Sequence, residues 1–237
     1  MYQITQNFIA GLPKLSYRNG INAFEGVVCH ATDNYNDTAI AERNYESTNN
    51  ENAFVHFFVD DTTIVQVADT AFICWGCGHE GNQRFVQIEL CQTYDQNKFN
   101  AAYDRYVWLI AKVLHDKNLG VTDGKTLVSH QWVTQNLGGT THTDPIAYLA
   151  SHGVSWSQHV ANVQEVYNKM NSPFIQVIQV QGETDIRADH DHTSGYIKNA
   201  HAGENYNVVA VFGTWRQVIL DDKGNKGWID GNAQIVG

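Results

Sequence analysis

The chain has 237 residues, 43% of them hydrophobic and 17% charged, with 11% aromatic. That balance excludes a disordered or low-complexity polymer and gives enough apolar material for one large or two ordinary domains. The formal charge of −10 is spread along the chain, 10 basic against 17 acidic residues in 1–170 and 5 against 8 in 171–237, which argues against a nucleic-acid partner. Eleven histidines against 15 Lys plus Arg raise the expectation of metal or proton chemistry.

The opening "MYQITQNFIAGLPKL" lacks a basic n-region and a long apolar run, so it does not read as a secretory signal. No stretch nears the roughly 20 apolar residues that span a bilayer, and membrane insertion is not expected. Next comes "FEGVVCHAT" (24–32), a valine-rich run bounded by glycine, read as a buried strand ending near His30. "AFVHFFVDD" and "TIVQVAD" follow as two strands of a hairpin turned at the DDT.

Cys29, Cys74, Cys77 and Cys91 sit in apolar surroundings and read as buried thiols rather than a disulfide framework. The Cys74–Cys77 pair lacks the second CxxC of a zinc ribbon and the context of a thioredoxin-like site. "RFVQIELCQT" is the next strand, with Phe85, Gln87, Glu89 and Cys91 on one face.

The period changes after Ala101, where Tyr103, Tyr106, Val107, Ile110 and Leu114 make an amphipathic helical stripe stopped by "NLG" at 118–120. "TLVSH" (126–130) is a strand end, and the stretch from Gln131 to Pro145 has no period and is read as a loop. A second helix over 155–170 is signalled by the capping-box spacing of Ser155 and Gln158. "NSP" at 171–173 marks a break, after which only short strand-like runs and turns remain. Residues 1–170 are expected to form a mixed α/β domain and 173–237 a small all-β barrel.

His30, His130 and Asp144 have the donor chemistry of a zinc site that keeps a fourth position open. Each also has an ordinary alternative: a core histidine bonded to a carbonyl, or, for Asp144 before Pro145, a helix N-cap. Residue type leaves that choice open.

The ordered motifs "VVCHAT", "NAFVHFFVDDTTIVQVAD", "WGCGHEGN", "VQIELC", "LVSHQW" and "HTDP" resemble the zinc-dependent N-acetylmuramoyl-L-alanine amidases shared by phage lysins and peptidoglycan recognition proteins, over about residues 20–150. The resemblance implies an α/β amidase domain, a mixed central sheet flanked by helices, that cleaves peptidoglycan between N-acetylmuramic acid and L-alanine by zinc-activated water. It places the zinc ligands at His30, His130 and Asp144, with His142 as the nearest substitute should Asp144 be only a cap. Glu89 then orients or deprotonates the water, and His142 stabilises the oxyanion. Trp75, His79 and Asn82 are candidates to line the glycopeptide groove, and His56 is read as a core or supporting histidine.

In the second region "TDIRAD", "GTWRQV" and "GNKGWID" resemble bacterial SH3-like wall-binding domains, which makes Tyr196, Tyr206, Trp215 and Trp228 candidate wall contacts. The implied protein is a phage-type endolysin, made in the cytoplasm without a signal peptide and released to the wall by another protein or by lysis. Two other readings share the fold: a non-catalytic peptidoglycan binder, and a zinc endopeptidase that cuts within the stem peptide.

Overall fold

The computed structural model describes residues 2–20, 23–171, 176–231 and 233–235. The chain divides into two compact units, Met1–Met170 and Asn171–Gly237. Ser172 and Pro173, which carry the expected break, lie outside the described residues.

The first unit is built on a mixed six-stranded sheet. Its strands are β1 (Ile4–Gln6), β2 (Gly26–Tyr35), β3 (Phe57–Val59), β4 (Ile64–Gln66), β5 (Phe85–Gln92) and β6 (Leu127–Ser129), in the order β1-β4-β3-β5-β2-β6. Only β3 and β4 pair antiparallel, as the hairpin closed by Asp60, whose Oδ1 accepts from the Thr62 and Thr63 amides at 2.7 Å each. The other pairings are parallel, so the strands beside β2 run the same way and end at the same edge. Gly26 is obligatory at the start of β2, because a Cβ there would lie 2.2 Å from the Thr126 carbonyl oxygen.

Among the described residues six α-helices accompany the sheet: α1 (Ala39–Asn49), α2 (His79–Asn82), α3 (Gln96–Asp116), α4 (His130–Asn136), α5 (Ile146–Ser151) and α6 (Trp156–Asn171). The α3 helix begins five residues before its apolar stripe becomes visible, because Asp95 caps it by accepting from the Asn97 and Lys98 amides. Tyr103, Tyr106, Val107, Ile110 and Leu114 are all buried there, in the main core with Val27, Cys29, Ile88 and Leu90. At about 1.5–3 kcal/mol for each fully buried large apolar side chain, this layer is the main source of the unit's stability. Ser155 caps α6 by accepting from the Gln158 amide at 3.2 Å, which is half of the capping box read from the sequence.

Besides the four-residue α2, two helices lie where the sequence carries no helical signal. The α1 helix carries no apolar stripe; its buried residues are Ala39, Glu42 and Glu46. The α4 helix occupies the first half of the stretch read as loop, with Ser129 as its cap, accepting from the Trp132 amide at 3.0 Å. Seven residues are too few for periodicity to register.

The second unit is one antiparallel sheet of β7 (Gln176–Val180), β8 (Thr184–Arg187), β9 (Tyr196–Ala200), β10 (Asn205–Phe212), β11 (Trp215–Ile219), β12 (Lys226–Asp230) and β13 (Ala233–Ile235), ordered β13-β7-β10-β11-β12-β8-β9. Alternation along β10 and β12 buries Tyr206, Val208 and Ile229 in a small core with Ile178, Val180 and Val218. No helix among the described residues is long and apolar enough to cross a membrane.

Candidate active site

Strand register assembles the site. His30 on β2 is directly paired with Glu89 on β5, and Cys29 with Ser129 on β6, so His130 follows one step beyond the end of β6. Glu89, His30 and His130 therefore stand in one row at the carboxyl ends of three adjacent parallel strands, the edge where open α/β sheets take their ligands. The row is held from below, because the buried Tyr106 hydroxyl donates to the His30 carbonyl oxygen at 2.9 Å.

Asp144 closes the row. Its Oδ2 lies 3.2 Å from His30 Nδ1 and its Oδ1 3.1 Å from His130 Nδ1, and the Ala31 amide donates to Oδ2 at 3.2 Å. The helix that follows is capped by Pro145 without any side-chain bond, so the Asp144 carboxylate serves the histidines and not the helix. Its backbone carbonyl accepts from the Gln131 amide, which ties the loop to the start of α4. At Gly78 (φ 77°) a Cβ would come within 2.9 Å of the Gly138 carbonyl oxygen, so glycine there lets the returning loop pack close.

One donor atom from each of His30, His130 and Asp144 falls within 4.8 Å of the others. Tetrahedral ligation at about 2.0–2.2 Å puts donors about 3.4 Å apart, close to the 3.2 and 3.1 Å between the Asp144 oxygens and the Nδ1 atoms of His30 and His130. The polar accounting agrees with a metal centre. His30 Nε2 is buried with no hydrogen-bond partner and His130 Nδ1 has none beyond the Asp144 oxygen at 3.1 Å, a state that costs free energy unless something else occupies the lone pair. His130 Nε2, the opposite ring nitrogen, meets Thr140 Oγ1 at 2.8 Å, the outer support that fixes a ligating imidazole. Thr140 was not visible from sequence; the signal for it is that a ligating histidine needs a partner for its other nitrogen.

Electrostatics sort the acids. Burial pushes the Asp144 carboxyl up, but hydrogen bonds with His130 and His30 and their charge overcome it and hold the group well below the usual carboxylate range. Burial lowers His130, against the pull of Asp144. Glu89 goes the other way: burial, then the charges of Asp144, Glu42 and Glu46, raise it well above an ordinary glutamate. Its Oε2 is sealed from water and unpartnered, while the residue still lines the cleft. His142 stacks on His130 with ring centroids 4.9 Å apart, its Nδ1 3.9 Å from Asp144 Oδ1 and its side chain 71% exposed. It stands exposed at the mouth of the row, among the residues that line the cleft.

These groups line a cleft of about 940 Å³ whose other wall is α1, presenting Glu42, Tyr45, Glu46 and Asn49. Trp75, His79 and Asn82 are not among its lining residues. Trp75 packs on Phe54 at 5.2 Å, exposed His79 pairs with Glu80, and Asn82 Oδ1 accepts from the Gly76 and Cys77 amides and from Gln87 Nε2. Gly76 and Phe54, beside Trp75, line the cleft in their place. His56 is fully buried in the core, bonded on both ring nitrogens. The four cysteines are free and buried, and burial pushes the Cys29 thiol up to about 12, so it is no nucleophile.

In the second unit Tyr206 and Trp215 are buried, Trp228 is half-buried against the His190 ring, and Tyr196 is exposed.

A mixed, mainly parallel sheet carries at its edge two histidines and an aspartate that could hold a metal ion, with a buried glutamate beside them, which places the chain among α/β proteins with a candidate metal centre. Residues 21–147 match the N-acetylmuramoyl-L-alanine amidase family, and the chain belongs to that family. It is 41% identical over 173 residues to Protein Ami of Listeria monocytogenes and 37% identical over 170 residues to the bifunctional autolysin of Staphylococcus epidermidis. Those matches cover 71% and 70% of this chain but only 19% and 13% of the relatives, so the chain spans less than a fifth of their length. The structure is similar to that of the Staphylococcus aureus hydrolase AmiA in complex with its ligand, with a TM-score of 0.69 and 35% identity over 71% of this chain and 85% of that one.

Proposed function

We propose that the chain is a zinc-dependent peptidoglycan hydrolase of the endolysin type that cuts the amide between the lactyl carbonyl of N-acetylmuramic acid and L-alanine. The observation that carries this reading is the row Glu89–His30–His130 closed by Asp144, with two buried imidazole nitrogens left for a ligand. Two imidazoles and a carboxylate suit zinc and leave a fourth position open. When bound there, the ion supplies Lewis-acid polarisation of water and of the scissile carbonyl.

The chain's own residues do the rest. Glu89 accepts a proton from the attacking water as its oxygen adds to the carbonyl carbon, and the carboxylic acid so formed returns that proton to the leaving amine. His142 donates to the developing oxyanion from the open side of the cleft. Asp144 keeps His30 and His130 aimed, and Thr140 holds the far side of His130. The C–N bond breaks, leaving the lactyl carboxylate and the free amino group of L-alanine.

The second unit is proposed as an SH3-like wall-binding domain. Its all-antiparallel sheet and the "TDIRAD" opening support that reading, and exposed Tyr196 and half-buried Trp228 are better placed to meet wall polymer than buried Tyr206 and Trp215. Weak anchoring would still keep the catalyst concentrated on an insoluble substrate. Synthesis in the cytoplasm and release to the wall with outside help complete the proposal.

Digestion of purified walls, followed by assay of new amino groups and fragment masses, tests the activity, with His130→Ala and chelated protein as controls. Stem peptides beginning at L-alanine are expected. A cut elsewhere in the stem would make it an endopeptidase, and binding without release would make it a wall-binding protein. A chain ending at Met170 is expected to pellet less with walls yet to keep its rate on soluble fragments; unchanged pelleting would remove the targeting role.

A further inference from the structure

Glu42 and Glu46 are an uncomfortable pair to bury. They lie one turn apart on α1, 9% and 7% exposed, and both face the cleft opposite the histidines. Glu46 spends Oε1 on the Val55 amide at 2.8 Å, but its Oε2 is sealed from water and has no partner. Glu42 Oε1 is likewise buried and unpartnered. A carboxylate oxygen in that condition is expensive unless a donor arrives.

Among the cleft-lining side chains Asn34 hydrogen-bonds to Glu42, which leaves Glu42 Oε1 and Glu46 Oε2 unanswered. Six carboxylate side chains line the cavity, from Asp33, Asp37, Glu42, Glu46, Glu89 and Asp144, and no lysine or arginine lies among its described lining residues. Arg43, between the two glutamates in sequence, is committed elsewhere, donating to the carbonyl oxygens of Asn7 and Phe8 at 3.1 and 3.2 Å. Burial, with the charge of neighbouring carboxylates, pushes Glu46 up to about 8 and raises Glu42 as well. Tyr45, 67% exposed on the same helix, adds an aromatic face at the rim.

We propose that Glu42 and Glu46 form an anionic subsite that receives a primary ammonium group on the peptide stem of the substrate. This rests on the reading of the cleft as a peptidoglycan amidase site. Stem peptides carry a diamino acid, so the chemistry on offer includes a side chain ending in an ammonium alone, as in lysine, and one ending in an ammonium beside a carboxylate, as in diaminopimelate. Beyond the proposed metal centre the lining presents Asp33, Asp37, Glu42 and Glu46 with no lysine or arginine among the described residues, which favours the first and repels the carboxylate of the second. The pair is thus a specificity element, opposite the chemistry but in the same cavity.

The test titrates the full chain with three tripeptide stems, L-Ala–γ-D-Glu–X, where X is L-lysine, Nε-acetyl-L-lysine or meso-diaminopimelate. The lysine stem is expected to bind at least about tenfold more tightly than either of the others, as a charge-assisted pair requires. In Glu46→Gln that preference should collapse to within about threefold, and Glu46→Asp should restore part of it. Equal binding of the lysine and acetyl-lysine stems by the unaltered chain overturns the proposal, as does a preference that survives in Glu46→Gln. Should Glu46→Gln fail to fold by circular dichroism, Glu42→Gln carries the same comparison. The bond cut in whole walls is read separately: a strong lysine preference with a cut elsewhere keeps the subsite and sinks the amidase reading. An amidase cut with no preference does the reverse.

Discussion

Four histidines of the first unit are almost wholly buried, and they fall into two pairs that differ in one respect. In the core, His56 Nδ1 accepts from the Gln87 amide at 3.0 Å, and its Nε2 meets the Tyr17 hydroxyl and the Phe72 carbonyl. His159 is similarly occupied, by the Tyr103 hydroxyl at 3.0 Å and by Cys29 Sγ at 3.6 Å. In the cleft, His30 Nε2 has no hydrogen-bond partner and His130 Nδ1 none beyond the Asp144 carboxylate. Burial alone therefore does not mark a site; a buried nitrogen with nothing to bond does.

The largest test of this contrast exchanges phenylalanine into each pair. In His30→Phe, hydrolysis should fall below detection, because a ligand is gone. Its melting temperature in chelator should hold or rise, since an orphaned nitrogen costs about 1–3 kcal/mol. His159→Phe should invert the pattern, keeping activity while the melting temperature falls. If both variants lose activity and stability together, the division into site and core histidines is wrong.

Next in size is Glu89. Replacement by glutamine keeps the shape and removes the proton acceptor, and a loss of about 10²–10⁴ in kcat is expected with little change in zinc content by metal analysis. A variant that loses its metal instead would show that Glu89 supports the centre rather than the chemistry. His142→Ala should cost less, about 10²–10³ in kcat, the range for one oxyanion donor. Its exposure predicts no change in stability, so a lowered melting temperature would assign it to the fold.

Why some of this was legible in the sequence and some not follows from the kind of signal each element leaves. The α3 stripe announces itself by burying apolar residues at helical intervals, and the strands at 26–35 and 85–92 by largely continuous runs of buried residues. The α1 helix leaves no such trace, since the face it turns inward is built from Glu42 and Glu46 and meets a cleft instead of a core. His30, His130, Asp144, Glu89 and His142 were singled out by motif order, whereas the row that joins them depends on strand register, which no local pattern carries. Trp75, His79 and Asn82 sit in a motif beside the cleft, but Asn82 is spent on backbone amides and Gln87, which polar residue type alone could not reveal. The choice between cap and ligand at Asp144 was equally invisible, since both uses ask for the same residue before a proline.

The smallest effect is a pH dependence of stability, and it sharpens the same comparison because its sign differs between core and cleft. Burial lowers His159 to about 3 and His56 to about 4, so the folded state refuses a proton that the unfolded chain takes up below about 6.5. Stability from these groups is intact above pH 6.5 and lost as pH falls toward their folded values, by about 1.4 kcal/mol per unit for each. Glu46 has the opposite sense: folded, it keeps its proton up to about 8, while unfolded it ionises above about 4.5, so its contribution is lost as pH rises through that window. Denaturant unfolding at pH 7.5 and pH 5.0 separates the two. Over that interval His159→Phe should lose about 2 kcal/mol less than the unaltered chain, and Glu46→Gln should lose more than the unaltered chain, because it forgoes the stability the buried acid regains on protonation. Parallel curves for all three proteins would mean that neither the core histidine nor the cleft glutamate is held in its neutral form by the fold.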